Sequence, residues 1–511
     1  MLHRRGLRVA KVVVLVAVVV WASAGVCVGD GAASAMAGGE AMAAAEVGGR
    51  AALAPTFVTV SNVQVAPAES GTQEVVFDVA WPESWRGPER PTWVEADDNW
   101  DAAWVFVKYR LPGDAWRHAR LAPDGHAWPT GVAVDVPIDG MGAFVYRGAP
   151  GYGPFEARGV RLVWDAVGDG VPADAELDAA EVFGIEMVYV PRGSFTVGTG
   201  GTERGAFRTG SSEAPFVVSS QAAIVLGEGA GQLGWLAVGQ SGTPDGSTNP
   251  EFPTGFDAFY VMRHQVTQGQ YVNFLNTLTQ AQADARRFTG TTYRHAITGD
   301  GVGSYETSTP FVAMNHVSWA DGAAFAAWAG LRPMTELEFE KAARGPLAPV
   351  PDEYAWGSTS MTQATGLENA GTDVERPTPG DANANYHDLG NPIGGPVRVG
   401  SFAVPGDGRR DAGAGFYGAL ELTGNLWERA VTVGNAEGRT FTGTHGDGAL
   451  DAGGNASVAS WPGADGVGAG FRGGSWRFNG GSLRVSDRSG AALTRAFRDC
   501  NGGWRGVRSA P

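Results

Sequence analysis

Cysteine is nearly absent from this chain: only Cys27 and Cys500 occur among 511 residues. Cys27 lies in or beside an N-terminal apolar leader, so the sequence predicts neither an internal disulfide framework nor a multi-cysteine metal site. Charge is also scarce, at 18% Asp, Glu, Lys and Arg, and the formal net charge is −16. A chain this acidic repels phosphate backbones, which sets nucleic acid aside as a partner. The eight histidines, at 3, 118, 126, 264, 295, 316, 387 and 445, show no His-x3-His spacing. Aromatic residues and glycine are abundant instead. With 17 Trp the chain is not of disordered composition, and 77 Gly favour turn-rich, short-strand structure over helical bundles. The length exceeds one ordinary core, so two domains are expected.

His3, Arg4, Arg5, Arg8 and Lys11 precede an apolar run from Val12 to Ala22, and Ala22-Ser23-Ala24 supplies a small-x-small flank. This order predicts a signal peptide over 1–24 and a secreted protein, extracellular or periplasmic. Its removal takes away four cations and moves the net charge from −16 to −20. Counted through Val28 the apolar stretch reaches spanning length, so a membrane becomes a partner only if the leader stays uncleaved. A lipid anchor on Cys27 is disfavoured by the bulk of Val26. Residues 25–54 are Ala/Gly-rich without alternation and read as a flexible linker.

From Phe57 the pattern changes to short apolar or alternating runs: Val58 to Val65, Val75–Val79, Trp104–Tyr109, Val132–Val136, Ala143–Tyr146 and Val160–Trp164. Pro, Gly, Asp and Asn clusters separate them, which predicts an all-β, sandwich-like domain over 55–182. The stretch from Trp93 to Trp104 concentrates three tryptophans and four acidic residues. It reads either as buried core tryptophans beside a solvated acidic turn or as a binding loop of aromatic platforms.

The rest of the chain carries a series of distinctive blocks. Phe183–Pro191 leads into Gly193-Ser194-Phe195, and Phe259–Thr267 is a strand running into a helix. In that helix Thr267 and Gln270 form a capping box, with Tyr271, Phe274, Leu275 and Leu278 at helical spacing. Asn315–Gly345 contains two more N-caps, Ser318 with Asp321 and Thr335 with Glu338. Tyr354-Ala355-Trp356-Gly357, Pro396–Phe402, Leu422–Glu428, Phe471–Trp476 and Gly503–Arg508 follow.

In that order the blocks resemble the formylglycine-generating enzyme (sulfatase-modifying factor) family across 183–511. The resemblance implies an α+β, C-type-lectin-like C-terminal domain, with residues of about 199–255 inserted between two family blocks. Gly229-Ala230-Gly231-Gln232-Leu233-Gly234 spells GxGxxG inside that insertion, but no βαβ context surrounds it.

In the family, two cysteines downstream of the Gly-Gly-Ser turn bind copper and oxidise a substrate cysteine. Aligned on Gly473-Gly474-Ser475, those positions are Phe478 and Leu483, and carbon cannot ligate Cu(I). Cys500 is a single leftover thiol, so no copper chemistry is expected. The sulfoxide-synthase branch of the superfamily needs iron held by histidines of a helical partner domain, and iron is not expected either. The resemblance implies a structural calcium on the Glu421 and Glu428 side chains with the carbonyls of Gly424 and Leu426, and a second near Asn385 and Tyr386, with Asp388 as a further ligand.

The family's active-site segment here holds Trp476, Arg477, Phe478, Asn479, Arg484, Asp487 and Arg488. These are either recognition chemistry for a protein, peptide or glycan, or arginines stapling loops. The expectation is a non-catalytic binding or scaffold protein. The alternative is an oxidoreductase of the same superfamily with an unrecognised metal site.

Overall fold

The computed structural model describes residues 57–68, 71–172 and 175–511. The expected leader over 1–24 and linker over 25–54 lie outside these residues. Among the described residues no helix is long and apolar enough to cross a membrane.

The N-terminal runs become strands for the reason their alternation suggests. In order they are β1 (Thr59–Pro67), β2 (Gln73–Arg86), β3 (Asp101–Arg110), β4 (Arg117–Ala119), β5 (Val132–Asp135), β6 (Ala143–Arg147), β7 (Gly151–Trp164) and β8 (Ala179–Val190). β1, β2 and β7 form one antiparallel sheet. β5, β6, β3 and β8 belong to a second. Val75, Phe77, Val79 and Trp81 of β2 share one buried cluster with Ala103, Val105, Val107 and Tyr109 of β3.

β3 is buried along nearly its whole length. Its alternate residues Trp104 and Phe106 turn the other way, the indole donating to Ala329 O at 2.8 Å and Phe106 meeting Trp328 edge-on at 5.0 Å. A strand covered on both faces loses the alternation of a half-exposed one, and its sequence accordingly reads as a continuous apolar run. Within the acidic Trp93–Trp104 stretch, Trp93 and Trp104 are fully buried. Trp100 is half-buried and stacks on Tyr189 at 3.9 Å.

β8 joins what the sequence divides. Its pairing with β3 runs from Ala179 to Val188, and Met187–Val190 pair on the other side with the strand Phe259–Met262. Gly506–Ser509 and Arg332–Pro333 extend the same sheet. The boundary drawn at 182/183 therefore falls inside one strand, and a single sheet runs through both regions.

The helices begin where their caps predict. α1 (Gln268–Asn276), α2 (Gln280–Arg286), α3 (Trp319–Trp328) and α4 (Glu336–Arg344) each carry a complete capping box, on Thr267, Thr279, Ser318 and Thr335. α4 is buried at every position although it holds three glutamates, a lysine and an arginine. Arg332 forks Glu338 at 2.6 and 2.9 Å, and Arg472 reaches Glu336 at 3.1 Å and Glu340 at 2.7 Å. Burying charge is tolerable only with such pairing.

The insertion over 199–255 is ordered structure. Its strands Phe207–Thr209 and Leu233–Trp235 pair with each other, and Phe216–Val218 pairs with Phe195–Val197. Gly229 and Gly231 of the GxGxxG string lie in the turn before Leu233–Trp235, Gly234 lies within that strand, and no helix follows.

Candidate functional site

The strand Ala469–Arg472 pairs antiparallel with Trp427–Val431, whose other edge takes Gly502–Gly503 in parallel. Three glycine-bounded blocks, far apart in sequence, thus end side by side. Gly473 and Gly474 have φ of 84° and 70°, and a Cβ on Gly474 would meet Leu483 Cδ1 at 2.3 Å. Only glycine makes this turn, which folds the following segment back over Leu483. The Trp476 amide donates to Asn425 O at 2.9 Å, and the His387 amide donates to Phe478 O at 3.0 Å.

The two positions that resemblance assigns to copper cysteines are occupied by packed carbon. Leu483 is fully buried in a small cluster with Tyr354, Trp356, Ala384 and Tyr386. Phe478 packs against that cluster and meets Trp427 edge-on at 5.1 Å. Neither side chain carries a lone pair. Cys500, expected as a leftover thiol, is fully buried.

Of the expected recognition residues, Arg477, Phe478 and Asn479 reach the surface, whereas Trp476 is buried at 4% exposed. Trp476 packs beside Tyr293 at 5.3 Å, and the Arg477 guanidinium lies 5.7 Å from the Trp476 ring and 5.9 Å from the Tyr293 ring. Arg477 also donates to Cys500 Sγ at 3.2 Å, and Asn479 is exposed.

Arg484, Asp487 and Arg488 do not join them. Arg488 is fully buried, forks Glu336 at 2.8 and 2.9 Å, and lies 4.0 Å from the Phe207 ring and 4.9 Å from the Trp235 ring of the insertion. Arg484 holds Asp352 at 2.9 Å, and the buried Asp487 accepts the Ser489 amide at 3.1 Å. These three secure loops. The docked insertion covers this half of the segment, which its glycine-rich composition did not reveal.

Several oxygens of the two sets implied for calcium carry donors. Arg505 holds both Glu428 oxygens, Nε at 2.9 and 3.0 Å and Nη2 at 2.8 Å. The Gln265 amide donates to Leu426 O at 2.8 Å and to Glu428 Oε1 at 3.3 Å, while Glu421 Oε1 accepts the Gly400 amide at 2.7 Å. At the second set the Asn391 amide donates to Asn385 Oδ1 at 2.9 Å, Tyr386 O at 3.1 Å and Trp476 O at 2.8 Å. Asp388 Oδ1 accepts the Gly480 amide at 3.2 Å. A guanidinium and two carboxamides thus meet several of these oxygens, while Glu421 Oε2 is enclosed and accepts no hydrogen bond.

Two histidines that showed no spacing in sequence meet beside this surface. His316 stacks on Phe288 at 3.7 Å, and His295 lies edge-on to it at 5.8 Å. Burial lowers both imidazoles to about 4, so they are neutral near pH 7. The loop over 286–297 brings them together, and nothing in their spacing signals it. Among the described residues no three His, Cys, Asp or Glu side chains converge as metal ligands do. The surface offers the partly exposed Phe478 ring, a guanidinium and an amide.

Similar proteins share parts of this chain. Hercynine oxygenase of Mycolicibacterium smegmatis is 34% identical over 22% of this chain and 20% of its own length. The formylglycine-generating enzyme of Thermomonospora curvata is 33% identical over 25% of this chain and 36% of its own. The inactive C-alpha-formylglycine-generating enzyme 2 of Bos taurus is 34% identical over 22% of this chain and 30% of its own. The match therefore spans only a fifth to about a third of these curated relatives. Treponema denticola variable protein 1 is a structural neighbour at 13% identity, covering 64% of this chain and 96% of its own, with a TM-score of 0.33, too low to bear on the fold. The model of the sulfatase-modifying factor enzyme 1-like domain matches residues 174–510, about two thirds of the sequence, and the chain belongs to that family.

Proposed function

We propose that this protein is an exported, non-catalytic member of its family that binds a peptide or glycan through the Arg477–Asn479 surface. The observation that carries the reading is the packed pair Phe478 and Leu483 at the positions of the family's copper thiolates. One relative is itself named as an inactive enzyme, so loss of chemistry on this scaffold has a precedent. The surface supports recognition because a guanidinium beside two aromatic rings and an exposed amide combines stacking with hydrogen-bond donors.

A Cu(I) competition titration tests the reading. The wild-type protein leaves a chelator's copper untouched, whereas Phe478→Cys/Leu483→Cys removes it stoichiometrically. Stoichiometric capture by the wild type would sink the reading. Binding on peptide and glycan arrays then identifies the ligand, and Arg477→Ala/Asn479→Ala loses the array signal while melting at the wild-type temperature.

A further inference from the structure

A second region has the character of a binding site and meets the residues described above only at Glu421. A cleft of about 510 Å³ opens where β1 crosses β8 beside α1. Its walls include the aromatic Phe57, Phe106, Phe183, Phe311 and Trp328 and Val60 and Val63 of β1, with Glu181, Thr267, Gln270 and Asn273 as polar lining. Glu186 and His264 also line it, and both are more than nine-tenths buried, at 6% and 5% exposed.

The polar end holds more negative charge than its own cations satisfy by hydrogen bonds. Arg263 donates to Glu186 Oε1 and Glu83 Oε2, each at 2.6 Å. Glu186 Oε2, Glu421 Oε2 and both His264 nitrogens are enclosed and make no hydrogen bond. His264 stands between the two carboxylates, Nε2 at 3.7 Å from Glu186 and Nδ1 at 3.6 Å from Glu421, within ion-pair range but beyond hydrogen-bond distance. Burial pushes Glu186 and the neighbouring Asp101 above the ordinary carboxylate range, in spite of Arg263. An enclosed carboxylate oxygen without a donor is costly, and a cation brought to it recovers that cost.

We infer that this cleft binds an organic primary ammonium carrying an aliphatic chain, with the ammonium on Glu186 and the chain along the aromatic walls. An ammonium has three N–H donors and no acceptor, the complement of an oxygen that lacks a donor. Phe57 lies 6.1 Å from His264 and stacks on Phe311 at 4.6 Å, which places aromatic faces beside the polar end, where they favour a cation. The volume suits a ligand of small-molecule size, and an apolar pocket with a few convergent polar groups is the usual form of such sites. A carboxylate ligand would face Glu186 and Glu421, and a neutral alcohol would leave the excess charge uncompensated.

Calorimetric titration of the full chain with octylammonium chloride, octanol and sodium octanoate tests the assignment. Octylammonium saturates one site at least tenfold more tightly than octanol, and octanoate gives no heat of binding. Glu186→Gln erases the preference for ammonium. Because Glu186 also pairs Arg263 and its loss can disturb folding, a second variant obstructs the cleft from an exposed position of α1. Asn273→Trp weakens octylammonium binding at least tenfold while keeping the wild-type melting temperature. Octanol binding as tightly as octylammonium, no binding of octylammonium, or full binding by a folded Asn273→Trp would each overturn the proposal.

Discussion

Replacing Glu336 with Gln removes one carboxylate on which two fully buried guanidinium groups depend. Arg488 donates to both of its oxygens at 2.8 and 2.9 Å, Arg472 to one at 3.1 Å, and Thr432 Oγ1 and the Val433 amide complete the set at 2.8 and 2.9 Å. Arg472 keeps Glu340 after the change, but Arg488 keeps only Gly205 O and two aromatic rings. Stranding one buried cation costs about 3–5 kcal/mol, a large share of the roughly 5–15 kcal/mol that holds a domain folded.

The assay is the urea midpoint followed by near-ultraviolet circular dichroism. Burial by itself would raise the Glu336 carboxyl, yet Arg488 and Arg472 hold it below its ordinary value of 4.5. Its contribution is therefore complete above 4.5 and is lost as pH falls through the lower folded value. The gap between wild type and Glu336→Gln is widest above about pH 5 and narrows in acid. A loss under about 1 kcal/mol at pH 7, or a gap that widens in acid, would refute the reasoning.

Gly322→Ala gains about 1 kcal/mol of helix propensity but sets a Cβ 1.9 Å from Trp504 Cε3. The clash wins, and thermal unfolding reports a net loss of about 1–3 kcal/mol. His295 and His316, held near 4 by burial, bind protons more readily unfolded than folded, so stability falls as pH drops from about 6.5 towards 4. His316→Asn keeps a residue suited to the positive φ of 57° and flattens that slope in melting temperature against pH.

Much of the fold was legible because its signals are local. Alternation placed β2, and Thr267, Ser318 and Thr335 placed the starts of α1, α3 and α4, since a cap is a contact between residues three apart. The same signal stood unread at Thr279-Gln280-Ala281-Gln282, which starts α2. What was not legible depends on distant partners. Nothing local in Ala179–Val190 says that one strand pairs with β3 on one edge and with Phe259–Met262 on the other.

Arg488 carries the same side chain whether it meets a ligand or staples a loop. The insertion's Phe207 and Trp235 decide the matter, from more than 250 residues away. Glu186, His264 and Glu421 likewise meet only in space. In the candidate site, Phe478 and Leu483 were readable from the Gly-Gly-Ser register, whereas the donors Gln265, Asn391 and Arg505 on oxygens implied for calcium were not.

Incubating the purified protein aerobically with copper and a Cys-x-Pro-x-Arg peptide, and weighing the peptide by mass spectrometry, tests the central claim most directly. The account predicts no conversion of cysteine to formylglycine while a formylglycine-generating enzyme run in parallel converts the peptide. Conversion by this protein would contradict it, and would mean that thiolates at the positions of Phe478 and Leu483 are not required for the chemistry.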